Sequence, residues 1–219
     1  MSVYKDIKKL QQSAEIDDYL NFYLFRKISI LFSIIFVKLR FSANFVTFLS
    51  FFSDILAIYL IYIYQPIAAG LLVILALVLD SSDGEVARYY HLKDKNLPKT
   101  RYGGYLDEVL GTVSFALVIF FAGYFMGNFW LGFVAMVGLF MTMVSSLCAR
   151  IEFKDQKKIT KKFEEGIFGK LKGRIGFNCG IQRILVALAI IFFSQIILAI
   201  FAILINLFWI LRLWIYRKS

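Results

Sequence analysis

The sequence predicts an all-α membrane protein, a six-transmembrane helix bundle with an N-terminal cytoplasmic interfacial amphipathic helix. Three observations lead there. Of its 219 residues, 60% are hydrophobic, against ~45–50% in a soluble domain. The apolar residues gather into stretches of roughly 20, the length needed to cross the hydrocarbon of a bilayer. Positive charge is missing from every second connection between those stretches, the pattern that orients membrane proteins.

Residues 1–16 are polar and read as a loose helix or tail. Residues 17–41, DDYLNFYLFRKISILFSIIFVKLRF, mix aromatic and aliphatic side chains with Arg26, Lys27, Lys38 and Arg40. A span here would carry those charges across the bilayer, so the segment is expected to lie on the cytoplasmic face as an amphipathic helix. Six apolar stretches follow, at 45–64, 67–83, 105–125, 128–149, 176–194 and 196–214. The last two form one run, divided near Ser194-Gln195. Pro66 and Pro98 fall in connections, where a missing N–H costs little. Residues 154–174, KDQKKITKKFEEGIFGKLKGR, read as a solvated basic loop. No cleavable signal peptide is expected, because the first 40 residues carry scattered charge rather than a short basic start and an apolar core. The expected division is 1–41, a cytoplasmic tail and interfacial helix, and 42–219, the six-span domain.

The net charge of +10 raises the question of nucleic acid, and its distribution answers it. Of 25 Lys and Arg, seven precede residue 41, five lie in 84–104, nine in 150–174 and three in 212–218, and Arg183 is the remaining one. The connections near Gln65-Pro66, Gly127-Asn128 and Ser194-Gln195 carry none. This puts both termini and the two long loops in the cytoplasm. The basic surplus then serves topology and attraction to anionic headgroups, and no nucleic-acid partner is expected.

The second stretch ends in LDSSDGEVAR, residues 79–88. A charge at the centre of a span costs on the order of 3 kcal/mol, so these acids need a reason. On a helix with Asp80 at the origin, Asp83 lies at about −60°, Gly84 at about +40°, Ala87 at about −20° and Arg88 at about +80°. Ser81, Ser82 and Glu85 fall on the far side. Two carboxylates thus share a face with small residues, leaving room beside them. The next stretch opens with GGYLDEVLG, 103–111, which sets Asp107 at a similar depth. Three acids so close repel one another unless a cation lies between them, and an oxygen-rich set suits Mg²⁺ or Mn²⁺. Such an ion in turn suits a diphosphate, whose leaving-group charge it neutralises.

Asp80, Asp83, Gly84, Ala87 and Arg88, followed by Gly103 and Asp107, resemble the signature of the CDP-alcohol phosphotransferase family, also called CDP-alcohol phosphatidyltransferases: D-x-x-D-G-x-x-A-R, then G-x-x-x-D-x-x-x-D. SANFVTFLS, 42–50, is similar to the family's first-span P-N-x-x-T through Asn44 and Thr47, with Ala43 in place of the proline. GIQRILVALAI resembles the start of its fifth span, and the likeness covers most of 42–200. The resemblance implies transfer of a phosphoalcohol group from a CDP-linked donor to a hydroxyl acceptor with release of CMP, one substrate usually being a lipid. It implies Asp80, Asp83 and Asp107 as metal ligands, and Asn44, Thr47, Asp80, Gly84, Ala87 and Arg88 along the CDP site. It also implies a homodimer in the cell or inner membrane, with the active site on the cytoplasmic side.

Two departures stand out. Fourteen residues separate Arg88 from Gly103 rather than about eight, an insertion around HLKDKNLPKT whose closure entropy is small. The family's last aspartate, the expected general base, falls on Gly111. Glu108 is the nearest substitute, but it lies about 100° round the helix from Asp107 whereas position 111 lies about 40° round. An acceptor that is already acidic needs no base, and a weakly active or inactive relative that binds nucleotide or lipid is the third reading. A cation transporter is the rival from another class.

Asp54, well inside the first span, and Arg183, near the start of the fifth, are candidates for contact with the acceptor or its phosphate, or for pairing with a residue of opposite charge. Arg150, Lys170, Lys172 and Arg174 read as interface anchors, and His91 as a solvated residue of the insertion. Cys148 and Cys179 read as reduced packing residues. One histidine and two cysteines cannot assemble the four ligands of a zinc site.

Overall fold

The computed structural model describes residues 3–10, 25–94, 101–152 and 179–217. Among them the chain forms eight helices and no strand: α1 (Val3–Lys9), α2 (Arg26–Lys38), α3 (Ala43–Tyr62), α4 (Pro66–Lys93), α5 (Arg101–Phe125), α6 (Phe129–Glu152), α7 (Cys179–Ile191) and α8 (Gln195–Arg217). The expected basic loop 154–174, most of the insertion, and residues 17–24 of the expected amphipathic segment lie outside the described residues.

Local chemistry accounts for the helix ends. The Ser42 hydroxyl accepts from Phe45 N–H at 3.2 Å and so caps α3. Tyr64, at φ 56°, turns the chain, and Pro66 opens α4, where its absent N–H is no loss. Gly127 takes φ +80°, which favours glycine, and Asn128 Oδ1 caps α6 by accepting from Leu131 N–H at 3.1 Å. The break expected near Ser194-Gln195 is present: Phe193 has φ 47° and Ser194 Oγ accepts from Ile197 N–H at 3.4 Å.

Ala43–Tyr62, Pro66–Lys93 and Tyr102–Phe125 are each long and apolar enough to cross a membrane, and Phe129–Ser145, Cys179–Ile191 and Gln195–Leu211 are shorter apolar helices. α3 packs on both α4 and α5; α7 packs on α4 and α8, and α6 joins α5 to α8. Small residues let the backbones close up. A Cβ on Gly123 would stand 2.5 Å from Gly132 Cα and N, so α5 and α6 touch there backbone to backbone. The outside is greasy, with Phe52, Leu71, Trp130, Ile196 and Ile203 all exposed. The inside holds Asp54, Asp83, Glu85 and Arg183. A protein solvated by lipid shows this sorting, because apolar residues lose nothing by facing out while charges must find partners within.

One expectation changes. α4 runs on to Lys93, so His91 belongs to its last turn and is half-buried rather than part of a solvated loop. Charge ends the apolar run at Asp80, but nothing from Asp80 to Lys93 breaks a helix, since no proline occurs there. Arg26, Ser29 and Ser33 are buried along with Ile30, Phe36 and Val37, while Leu31, Ile35 and Leu39 are exposed beside Lys27 and Lys38.

Candidate active site

Asp83 is the buried centre of the site, only 4% exposed. Its Oδ2 accepts from Thr47 Oγ1 of α3 at 2.6 Å. The carboxyl group of Asp107 on α5 lies near enough to interact with it. Two carboxyl groups so close cannot both stay charged unless a proton or a cation lies between them. One turn earlier on α4, Asp80 Oδ1 lies 3.4 Å from the point that a Cβ on Gly111 would occupy, with no other neighbour within 4 Å of that point. The antiparallel helices therefore face each other in two rungs, Asp83 with Asp107 and Asp80 with Gly111.

Arg88 follows one turn after Gly84 on α4. Its Nη1 would lie 3.2 Å from a Cβ on Gly84, so the guanidinium covers the glycine's open face. Ala87, Arg88, Asp107 and Glu108 are half-buried, and Asn44 is exposed at the start of α3. Thr47, which the resemblance places along the CDP site, donates to Asp83.

Below this lies a second polar cluster. Arg183 Nη1 donates to Asp54 Oδ1 and Oδ2, both at 3.0 Å. Ser114 Oγ donates to Asp54 Oδ2 at 2.6 Å, and the guanidinium lies 4.7 Å from the Phe115 ring centre. Of the alternatives open at the sequence level, the structure pairs Asp54 with Arg183. Ser114 and Glu85 escaped notice as partners. The usable signal for Glu85 was that an acid on the motif's far face, at that depth, needs a cation, and Arg26 is the nearest buried one.

Among the described residues, no three His, Cys, Asp or Glu side chains stand close enough together to hold a metal ion as placed. The donor chemistry still fits a hard divalent cation. All three aspartates offer oxygen, two lie close together, and the third faces the same gap between α4 and α5.

An all-helical membrane protein with a carboxylate site between two adjacent helices is the class that these features define. The family model for CDP-alcohol phosphatidyltransferase matches residues 40–215, and the chain belongs to that family. Members transfer phosphoalcohol groups from a CDP-linked donor to an alcohol, generally with a divalent metal ion. The family and the apolar helices together make this an integral membrane protein. No curated protein matches the chain.

Proposed function

We propose that this chain is an integral membrane transferase that moves a substituted phosphate group from a CDP-linked donor to a hydroxyl acceptor and releases CMP, in phospholipid or related lipid synthesis. The observation that carries this reading is the opposition of Asp83 to Asp107, and of Asp80 to position 111, across α4 and α5. Asp83 and Asp107, with Asp80 beside them, would hold Mg²⁺ or Mn²⁺. Such an ion, when bound, neutralises charge on the departing phosphate.

The chain's own side chains supply the rest. Thr47 donates to one oxygen of Asp83 and so fixes its carboxyl group. Arg88, over Gly84, offers a fixed cation to the diphosphate. Gly84 and Ala87 keep the approach open, and Asn44 borders the donor side. In the transfer, a bond forms between the acceptor oxygen and the phosphorus while the bond from that phosphorus to the CMP oxygen breaks. The hydroxyl proton passes to a base, for which Glu108, half-buried beside Asp107, is the nearest carboxylate. Arg183, held by Asp54, stands beneath these groups and braces α3 against α7. Helices α3 to α8 would form the six-span unit of residues 42–219, paired as a homodimer, with residues 1–41, both termini and the site on the cytoplasmic side.

A second reading is a weakly active relative that binds nucleotide without turnover, and Gly111 favours it. CMP release from a panel of CDP-linked donors and alcohols, with and without Mg²⁺ or Mn²⁺, separates the two. Metal-dependent release that disappears in Asp80→Asn and Asp83→Asn supports the transferase. Nucleotide binding without release from any pair supports the second reading.

A further inference from the structure

Two residues past Asp83, on the other face of α4, Glu85 is fully buried. Its carboxylate accepts from Ser29 Oγ at 2.9 Å and from Ser33 Oγ at 2.7 Å, and Arg26 Nη1 stands 3.6 Å away. These three residues belong to α2. The backbones are close too: Ser33 Oγ stands 3.3 Å from the Ser82 carbonyl, and Ser82 Oγ, which donates to the Val78 carbonyl at 2.7 Å, stands 3.3 Å from the Ser29 carbonyl. Around this polar knot the contact is apolar, with Ile30, Phe36 and Val37 among Leu79, Val86 and Tyr89.

A buried ion pair is weak evidence for stability, since an apolar replacement is often neutral. Its better-attested use is to specify register. Between apolar helices in lipid, packing discriminates poorly among rotations, and polar contacts select one. The helix fixed here bears Asp80 and Asp83. Glu85 lies about 200° round α4 from Asp83. A rotation of α4 that frees Glu85 from its partners therefore also swings Asp83 away from Asp107. α4 is held at this turn from two sides, by Thr47 on Asp83 and by α2 on Glu85.

We propose that Glu85 is a positioning residue. Held by Ser29, Ser33 and Arg26, it sets the rotation of α4 so that Asp80 and Asp83 face α5 only while α2 is docked. One readout of its test rests on the metal reading above, and the other does not.

The test uses the full chain in detergent micelles, with the paired change Ser29→Ala/Ser33→Ala, which keeps the ion pair, and Glu85→Gln, which keeps the shape. The metal-free readout is thiol chemistry. In a Cys148→Ser/Cys179→Ser background, Gly111→Cys places a thiol against Asp80, where the facing turn of α4 limits access and slows maleimide labelling. Either α2-releasing change is expected to speed labelling several-fold, and an unchanged rate in both overturns the inference. The second readout is Mn²⁺ affinity by electron paramagnetic resonance, expected to weaken by about 10–100-fold, as when the outer-shell partners of metal ligands are removed. Should the unaltered protein bind no Mn²⁺, the metal reading fails, and labelling still decides the role of Glu85.

Discussion

Arg183 Nη1 lies 3.0 Å from both carboxylate oxygens of Asp54, and the two side chains are sealed from solvent at 1% and 0% exposure. With Ser114, they tie α3, α5 and α7 together beneath the acids. Leaving one charge without its partner in such a place costs about 3–5 kcal/mol, whereas exchanging both for apolar residues is often near neutral. Asp54→Leu and Arg183→Met alone are therefore expected to lower the unfolding midpoint in mixed micelles sharply, and the double variant to recover most of it. A double variant as unstable as the sum of the singles would show that the two groups act independently.

Thr47→Val keeps the shape of the side chain and removes the hydrogen bond to buried Asp83. Loss of a hydrogen bond to a charged group is worth about 1.5–3 kcal/mol. Mn²⁺ affinity is expected to fall at least tenfold by the same energy at ~1.4 kcal/mol per decade, and Thr47→Ser to restore it. Equal binding by Thr47→Val and the parent would remove Thr47 from the site.

Gly111 has room for a side chain, since its Cβ would meet only Asp80 Oδ1, at an ordinary 3.4 Å. Gly111→Ala is expected to leave the melting temperature unchanged. Gly111→Asp sets a carboxylate opposite Asp80, and if a base is what the reaction lacks, CMP release should rise by about 10² to 10⁴. A flat rate would point to an acceptor that enters already deprotonated.

Gly123→Ala probes the bundle itself. The new Cβ would stand 2.5 Å from backbone atoms of Gly132, and a backbone has no rotamer with which to yield. Overpacking of this kind costs typically ~1–3 kcal/mol. The expected result is a lower melting temperature with normal donor affinity in the folded fraction. A parent-like melting curve would mean that α5 and α6 separate freely.

The helices and the acid motif were legible in the sequence because both rest on local spacing: roughly twenty apolar residues for a span, and i, i+3 placement for Asp80 and Asp83. The partner of Asp54 was not, because Arg183 stands 129 positions away and nothing local links the two. The contact of α2 with α4 was not legible either, because Ser29 and Ser33 gain their worth only from Glu85, far along the chain. Glu85 was placed on the correct face of α4 and then set aside, since its worth depends on residues more than fifty positions upstream.

The length of α4 has one more consequence. Its 28 residues rise about 42 Å at ~1.5 Å each, while the hydrocarbon layer is about 30 Å thick. Measured from Pro66, the helix outgrows that layer by about eight residues, so Val86 begins the overhang, with Asp83 about one turn and Asp80 about two turns below the waterline. A water-borne nucleotide need descend only that far, and a tail-bearing molecule already dissolved in the bilayer can meet it there without either having to leave its own solvent.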